Sequence, residues 1–98
     1  MYLPDPPFSS SYIEIFRLSA REAASLFGDM QKVLITISSS PQYAYRIRRS
    51  AESSNKKEVM RLIRQSGLVS PFDVTYTPDG INILLLKTHG HLVASLRW

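Results

Sequence analysis

The chain has 98 residues, a length that accommodates one domain and leaves no room for a second. Hydrophobic residues make up 44% of it and charged residues 20%, which is ordinary globular composition and excludes a wholly disordered chain. There is no Cys, so disulfides, thiolate metal sites and cysteine nucleophiles are excluded. The formal net charge of +4 attracts polyanions only if the basic side chains share a face.

The N-terminal segment differs in composition from the remainder. Residues 1–11 contain three of the six prolines, which predicts an extended arm followed by a single α+β domain over residues 12–98. The start lacks the basic residues and the apolar run of a signal peptide. The longest apolar run, residues 83–86, is far shorter than the roughly 20 residues that span a bilayer. We therefore expect a cytoplasmic protein.

The first half of the chain predicts two strands separated by a helix. Residues 12–18 are aromatic, β-branched or alternating in polarity, which favours a strand. Ser19-Ala20-Arg21-Glu22 matches a capping box, so a helix is expected to begin at Ser19 and to stop at Gly28. Residues 32–37 alternate again and are predicted to form a second strand.

The next segment allows two interpretations. Residues 43–49 alternate with a period of two, which favours a third strand, although Pro41 would also suit the first position of a helix. Asn55 and Glu58 have the spacing of a second capping pattern. The helix that they predict should end near Gly67.

The C-terminal part predicts a β-hairpin. Two alternating stretches, residues 72–76 and 81–86, flank Thr77-Pro78-Asp79-Gly80, where Pro78 suits a type I turn and Gly80 would supply a positive φ. After a further turn at His89-Gly90-His91, residues 92–96 are expected to return as a last strand or as a short helix.

The predicted order of elements indicates a fold class. A β-α-β-β-α-β core plus a C-terminal hairpin is the plan of the ferredoxin-like split β-α-β fold, in which two helices pack on one face of an antiparallel sheet. An α+β sandwich with other connectivity would share the same order of elements.

Catalytic and cofactor signatures are not found in the sequence. His89 and His91 are two residues apart and could point the same way on a strand, but no further ligand lies near them in sequence. No nucleophile motif, carboxylate pair or glycine-rich phosphate loop is recognisable. We predict a protein that is not an enzyme and that has no cofactor and no metal site.

The basic residues have the most suggestive distribution. Seven of the twelve Lys and Arg residues fall between positions 46 and 64. These are the candidate polyanion-binding residues: Arg46, Arg48, Arg49, Lys56, Lys57, Arg61 and Arg64. They could hold phosphates of a single-stranded nucleic acid, or they could be a solvated surface.

A predicted sheet face free of helices offers a second candidate surface. Its apolar residues would be Phe16, Leu34, Leu84 and Leu86. Contiguous exposed apolar surface marks protein interfaces. The leading hypothesis is a regulatory or adaptor domain that binds a protein partner, or a second copy of itself as a homodimer, through this face; nucleic-acid binding is the alternative, and no membrane contact is expected.

Overall fold

The computed structural model describes residues 10–98, with side chains described from residue 13 onward. Over this part of the chain the helices come first: α1 (Ser10–Ser25), α2 (Phe27–Ser39), α3 (Pro41–Glu52) and α4 (Lys56–Arg64). The strands follow: β1 (Phe72–Thr77), β2 (Gly80–Leu86) and β3 (His91–Arg97). The strands form one antiparallel sheet in the order β1-β2-β3, so β2 is central and β1 and β3 are its edges.

The ferredoxin-like split β-α-β prediction is wrong. The three stretches predicted as strands, residues 12–18, 32–37 and 43–49, lie within α1, α2 and α3. A helical spacing explains the last of these, since Tyr43, Ile47 and Ala51 are buried at i, i+4 and i+8. A short alternation of polar and apolar residues is compatible with either period, and here burial of the helical stripe decides the structure.

The predicted cap at Ser19 is also absent. Ser19 lies inside α1, and Gly28 lies inside α2 rather than ending a helix. The interruption falls instead at Leu26, which is fully buried and separates the two helices. The Leu26 amide donates to the carbonyl of Ala23 at 3.1 Å, so the chain leaves α1 through a single tight turn anchored by an apolar side chain.

The caps of α3 and α4 follow sequence rules. The Ser40 hydroxyl accepts from the Tyr43 amide at 3.2 Å and Pro41 occupies the first turn of α3, so the helical alternative left open for this segment is the right one. The Asn55 side chain accepts from the Glu58 amide at 3.2 Å, which confirms the second predicted cap. Gly67, with φ of 97°, ends this region as expected.

The predicted hairpin is confirmed, and the last segment is a strand. β1 pairs with β2 from Phe72↔Leu85 to Thr77↔Gly80. Gly80 is needed for space and not for the positive φ that we predicted, because a Cβ there would collide with the carbonyl oxygen of Leu96 and lie 3.0 Å from the Cα of Arg97.

One face of the sheet packs against the helices. The fully buried residues of the sheet, Val74, Ile83 and Leu85, share that face, because side chains alternate along a strand. The helices and the turn between α1 and α2 contribute a larger set of fully buried residues: Leu26, Val33, Val59, Leu62 and Ile63. The opposite face of the sheet carries more exposed residues such as Thr75 and Val93. The core is therefore a single layer of side chains between helices and sheet.

A carboxylate links α1 to the turn before β3. Glu22 Oε1 accepts from the backbone amides of His89 and Gly90 at 2.7 and 2.9 Å. His89 Nδ1 lies 3.6 Å from the second oxygen. The hydrogen bond from the His89 amide, followed by that from the Gly90 amide, lowers the pKa of the Glu22 carboxyl. The prediction that Glu22 caps a helix is therefore wrong: its carboxylate links α1 to the turn before β3.

A second carboxylate links α2 to the loop between α4 and β1. Asp29 Oδ2 accepts from the Ser70 hydroxyl and, at 2.9 Å, from the Ser70 amide, while Lys32 Nζ lies 3.5 Å from Oδ1. Asp29 is only 9% exposed. The Ser70 hydroxyl is the main cause of the lowered pKa of Asp29. These contacts fix the position of α2 relative to the sheet.

Replacing Gly90 by Ala should displace α1 from the sheet. A Cβ at this position would collide with the carbonyl oxygen of Ser19 and lie 2.9 Å from the amide nitrogen of Ala23. We expect Gly90→Ala to cost about 1–3 kcal/mol of unfolding free energy, as overpacking of a well-packed site does. Urea denaturation measures the loss, with Gly28→Ala as the control because nothing lies within 4 Å of a Cβ there. Equal stability of the two variants would contradict the close approach of α1.

Acid should weaken both carboxylate links. A carboxyl whose pKa is lowered by folding adds stability above its unfolded-state pKa of about 4, and this stability is lost as the pH falls through the folded-state value. We expect Asp29→Asn to cost about 1–3 kcal/mol at pH 7 and to flatten the decline in stability between pH 5 and pH 3. Urea midpoints across this range test the prediction. Glu52→Gln, which alters an exposed carboxylate paired with Arg48, is the control, and an unchanged acid profile of Asp29→Asn would be the contrary result.

Candidate interaction surface

The seven candidate basic residues lie on two packed helices, α3 and α4. Three of them form ion pairs. Arg48 lies 3.4 Å from Glu52, Lys56 lies 3.1 Å from Asp73, and Arg61 makes a two-pronged pair with Glu58. Each pair neutralises a positive charge that would otherwise face a polyanion.

The pKa values of the acidic partners reflect these contacts. The Arg61 guanidinium lowers the pKa of Glu58, and Glu58 in turn raises the pKa of Arg61. The pKa of Asp73 is lowered mainly by the hydrogen bond from the Val74 amide and then by Lys56. All these side chains are substantially solvent-accessible, so the pairs contribute little to stability.

Two further arginines have local roles. Arg64 Nη1 donates to the carbonyls of Leu68 and Ser70 at 3.1 and 3.2 Å, and its guanidinium lies 4.6 Å from the centre of the Phe72 ring. Arg64 thus braces the loop between α4 and β1. Arg49 Nη1 donates to the Tyr45 hydroxyl one turn earlier on α3, at 3.0 Å.

Two of the basic residues, Arg46 and Arg48, point to different sides of α3. Arg46 and Arg48 are two residues apart on a helix, which turns their side chains about 200° from one another. Arg46 lies on the α4 side of α3, where its charge helps to lower the pKa of Glu58. Arg48 lies on the other side and lines a cavity with Ile81 and Trp98. Because residues 43–49 form a helix and not the predicted strand, Arg46 and Arg48 do not share a face.

The predicted apolar interface is also divided. Phe16 is on α1 and is 79% exposed, whereas Leu34 is on α2 and packs against the core. Leu84 and Leu86 are half-buried on the sheet face that points away from the buried core residues of β2. These four residues share no face, since only Leu84 and Leu86 belong to a strand.

A different apolar surface lies between α2 and β3. Here the structure forms a groove of about 490 Å³, which we call the α2–β3 groove. Its lining contains no ionisable residue: Phe27, Met30, Gln31, Leu34, Leu92, Val93 and Ala94. Phe27 is 61% exposed and Val93 is 54% exposed. Because these large side chains sit at the rim of an uncharged groove, the surface is suited to covering by another apolar surface.

Part of the α2–β3 groove could have been found from the sequence. Phe27, Met30 and Leu34 occur at i, i+3 and i+7, which is a helical stripe. Reading residues 32–37 as a strand separated Leu34 from this stripe. Leu92, Val93 and Ala94 come from a strand more than fifty residues away, and nothing in the sequence places them opposite α2.

A second cavity of about 310 Å³ lies beneath Trp98, between α3 and the ends of β2 and β3. The Trp98 indole nitrogen donates to the carbonyl of Thr77 at 2.8 Å, and its backbone amide donates to Asp79 at 3.1 Å. Arg48 and Arg97 are the charged residues of the lining. The cavity is smaller than the α2–β3 groove.

His89 and His91 have no metal-binding companions among the described residues. Within residues 10–98 no group of three His, Cys, Asp or Glu side chains is arranged to hold an ion. His89 instead faces Glu22. In the same part of the chain, every helix is too short or too polar to cross a membrane.

Comparison with known proteins identifies the family. The family described as "YuzC spore coat inner layer protein" matches residues 13–94. A similar protein of Bacillus subtilis (strain 168), described as "Uncharacterized protein YuzC", is 40% identical over 93 residues, which cover 95% of this chain and 76% of that protein. No solved structure matches the chain significantly. Because the match spans most of the described fold, the chain belongs to the YuzC family of spore coat inner layer proteins.

Proposed function

We propose that this chain is a non-enzymatic structural protein of the inner layer of the spore coat, and that it acts by binding other protein chains. The observation that carries the proposal is the uncharged α2–β3 groove with Phe27 and Val93 exposed at its rim. The description of the family supplies the location, in place of the cytoplasm that the sequence led us to expect. A coat layer is built by protein contacts, and such a groove provides one.

The physical argument is the cost of leaving this surface in water. Burial of apolar surface is the main favourable contribution to protein association, and interfaces form around a few large anchoring side chains. Phe27 is well placed as such an anchor, because it is fixed at the start of α2 beside Leu26, a fully buried residue. The surface is therefore preorganised by the core beneath it.

The ionisable groups with shifted pKa values have structural partners, which supports a non-enzymatic role. Glu22 and Asp29 accept hydrogen bonds from backbone amides of distant loops. Glu58 and Arg61 pair with one another. Burial raises the pKa of Tyr43, whose hydroxyl donates to the carbonyl of Leu62. Catalytic groups usually owe such shifts to a site that also admits a substrate.

Nucleic-acid binding is not favoured by the positions of the basic residues. Arg48, Lys56 and Arg61 are paired with carboxylates, and Arg46 and Arg48 face opposite sides of α3. A phosphate backbone needs several cations along one path.

Charging the rim of the groove should reduce incorporation into the coat. We expect Phe27→Glu to weaken binding by about 2 kcal/mol, roughly thirtyfold, as loss of an anchoring aromatic does. Protein extracted from the coats of purified spores, quantified against the total expressed, measures incorporation. Thermal melting of the purified variant checks that it folds.

The matched control is Ile35→Glu, which places the same charge on the same helix at a residue that is 53% exposed and lies outside the groove. Recovery of the wild-type protein mainly outside the coat fraction would refute the proposed location. Equal incorporation of Phe27→Glu and wild type would refute the role of the groove.

A further inference from the structure

The edge strand β3 presents unpaired backbone groups. Lys87 donates its amide to the carbonyl of Gly90 at 3.0 Å, and hydrogen-bonded pairs recur at every second residue of an antiparallel ladder. The backbone groups of Leu92, Ala94 and Leu96 therefore point toward β2. The backbone amide and carbonyl groups of the other β3 residues point away from β2: His91, Val93, Ser95 and Arg97. Among residues 10–98 no hydrogen bond reaches the backbone groups of these four.

The other edge of the sheet is blocked. The amide of Leu86 donates to the carbonyl of Pro71, so Phe72, Val74 and Tyr76 have the backbone groups that point outward from β1. The Asp73 side chain accepts a hydrogen bond from the Val74 amide at 2.8 Å, so this outward-pointing amide is already occupied. Lys56 pairs with the same carboxylate at 3.1 Å. Charged side chains at an edge oppose the addition of a strand.

The β3 edge is less obstructed: α1 approaches its N-terminal end at Gly90, and Arg97 at its C-terminal end is the only Lys, Arg, Asp or Glu of the strand. Its five central residues, Leu92-Val93-Ala94-Ser95-Leu96, contain no Pro, Lys, Asp or Glu. A regular, uncharged edge strand of this kind is a template for another strand. Its core-facing side chains, Leu92, Ala94 and Leu96, are only partly buried. This is expected if a further strand beside β3 is needed to cover them.

We propose that β3 pairs antiparallel with β3 of a second copy of this chain, about a two-fold axis at Ala94, to form a continuous six-stranded sheet. This inference rests on the proposed function, since it names a second copy as a binding partner of the same groove. Self-pairing is favoured because an antiparallel strand pair is self-complementary under a two-fold rotation.

The sequence of β3 fits this register. With the axis at Ala94, Val93 faces Ser95 of the second copy and Leu92 faces Leu96 of the second copy. The outward-pointing groups then form about eight hydrogen bonds between the copies. The two Ala94 residues meet at a non-hydrogen-bonded pair, where Cα atoms approach to about 4.5 Å and small side chains are accommodated.

The α2–β3 groove receives the added strand. Its walls are α2 on one side and residues 92–94 of β3 on the other, so a strand placed beside β3 runs along it. The second copy's Leu92 and Leu96 would lie on the side of the sheet that faces Met30 and Leu34, because pairing of strands preserves the faces. Phe27, at the edge of the groove on the helix side, is then covered by these apolar side chains, while Val93 lies on the opposite face of the sheet beside Ser95 of the second copy.

Sedimentation of the full chain over a range of concentrations, together with amide hydrogen exchange, tests this arrangement. Wild type is expected to form a dimer and to protect the amides of Val93 and Ser95 as the dimer forms. The amide of Tyr76, on the β1 edge, is expected to exchange at the same rate at every concentration. A wild-type protein that stays monomeric at its highest soluble concentration would overturn the proposal.

The discriminating variant is Ser95→Pro. It removes an amide that points away from β2, so the ladder between β2 and β3 is kept, and Pro is tolerated on an edge strand in that position. We expect at least a tenfold weaker dimer. Val93→Lys is a second variant that should weaken the dimer without any backbone change, and Thr75→Lys, on the outer sheet face of β1, is its matched control.

Circular dichroism establishes that each variant is folded. Dimerisation of folded Ser95→Pro and Val93→Lys at wild-type strength would assign self-association to another surface and overturn the inference. The proposed function fails separately. If the wild-type protein dimerises, these variants lose the dimer and the protein is absent from the coat, the strand pairing is supported and the coat role is contradicted. If the protein is found in the coat but is monomeric, the coat role is supported and the strand pairing is contradicted.

Discussion

The close contact between α1 and the turn before β3 determines how the two halves of the chain come together. In residues 10–98 all helices precede all strands, so the sheet cannot be placed by short connections from strand to helix and back. The Glu22 carboxylate, bound by two backbone amides more than sixty residues later, supplies that placement. Gly90 allows it because any larger residue would meet the backbone of α1. Asp29 makes a second link of the same kind to Ser70. Between these two links α2 is fixed beside β3, and the groove exists because of that position.

The sequence was informative where local chemistry decides the structure. Asn55 caps α4, the stretch around Pro78 forms the hairpin turn, and α4 ends shortly before Gly67, as predicted. Residues 12–18 and 32–37 were wrongly predicted as strands, because the prediction rested on alternation over only six or seven residues. In α2 the buried apolar residues are Met30 and Val33, which fit a helix as well as Val33 and Ile35 fit a strand. Ile35 is 53% exposed, so the helical register buries a different set from the one assumed. Tertiary packing decided between the two periods, and the helical spacing of Phe27, Met30 and Leu34 was the local signal that agreed with it.

The sequence predicted that the candidate surface would be apolar, but not which residues form it. An exposed apolar surface was expected, but two of its predicted members, Phe16 and Leu34, were assigned to the wrong neighbours because they lie on helices and not on strands. The α2–β3 groove joins a helical stripe near residue 30 with a strand near residue 93, and such a juxtaposition is a property of topology. The basic residues show the converse. The composition gives the number of basic residues, but not how much positive charge they present to a ligand. That charge depends on carboxylates such as Glu58 and Asp73, which pair with basic residues in the folded chain.

The position of Trp98 has a practical consequence for studying this protein. It is the single tryptophan of the sequence. Its indole nitrogen donates to the carbonyl of Thr77 in the hairpin turn, and its side chain lines a cavity beside α3. Its fluorescence therefore monitors the junction of sheet and helices without a label. A dye or affinity tag attached directly to this residue would disturb that junction, so the chain is better derivatised elsewhere.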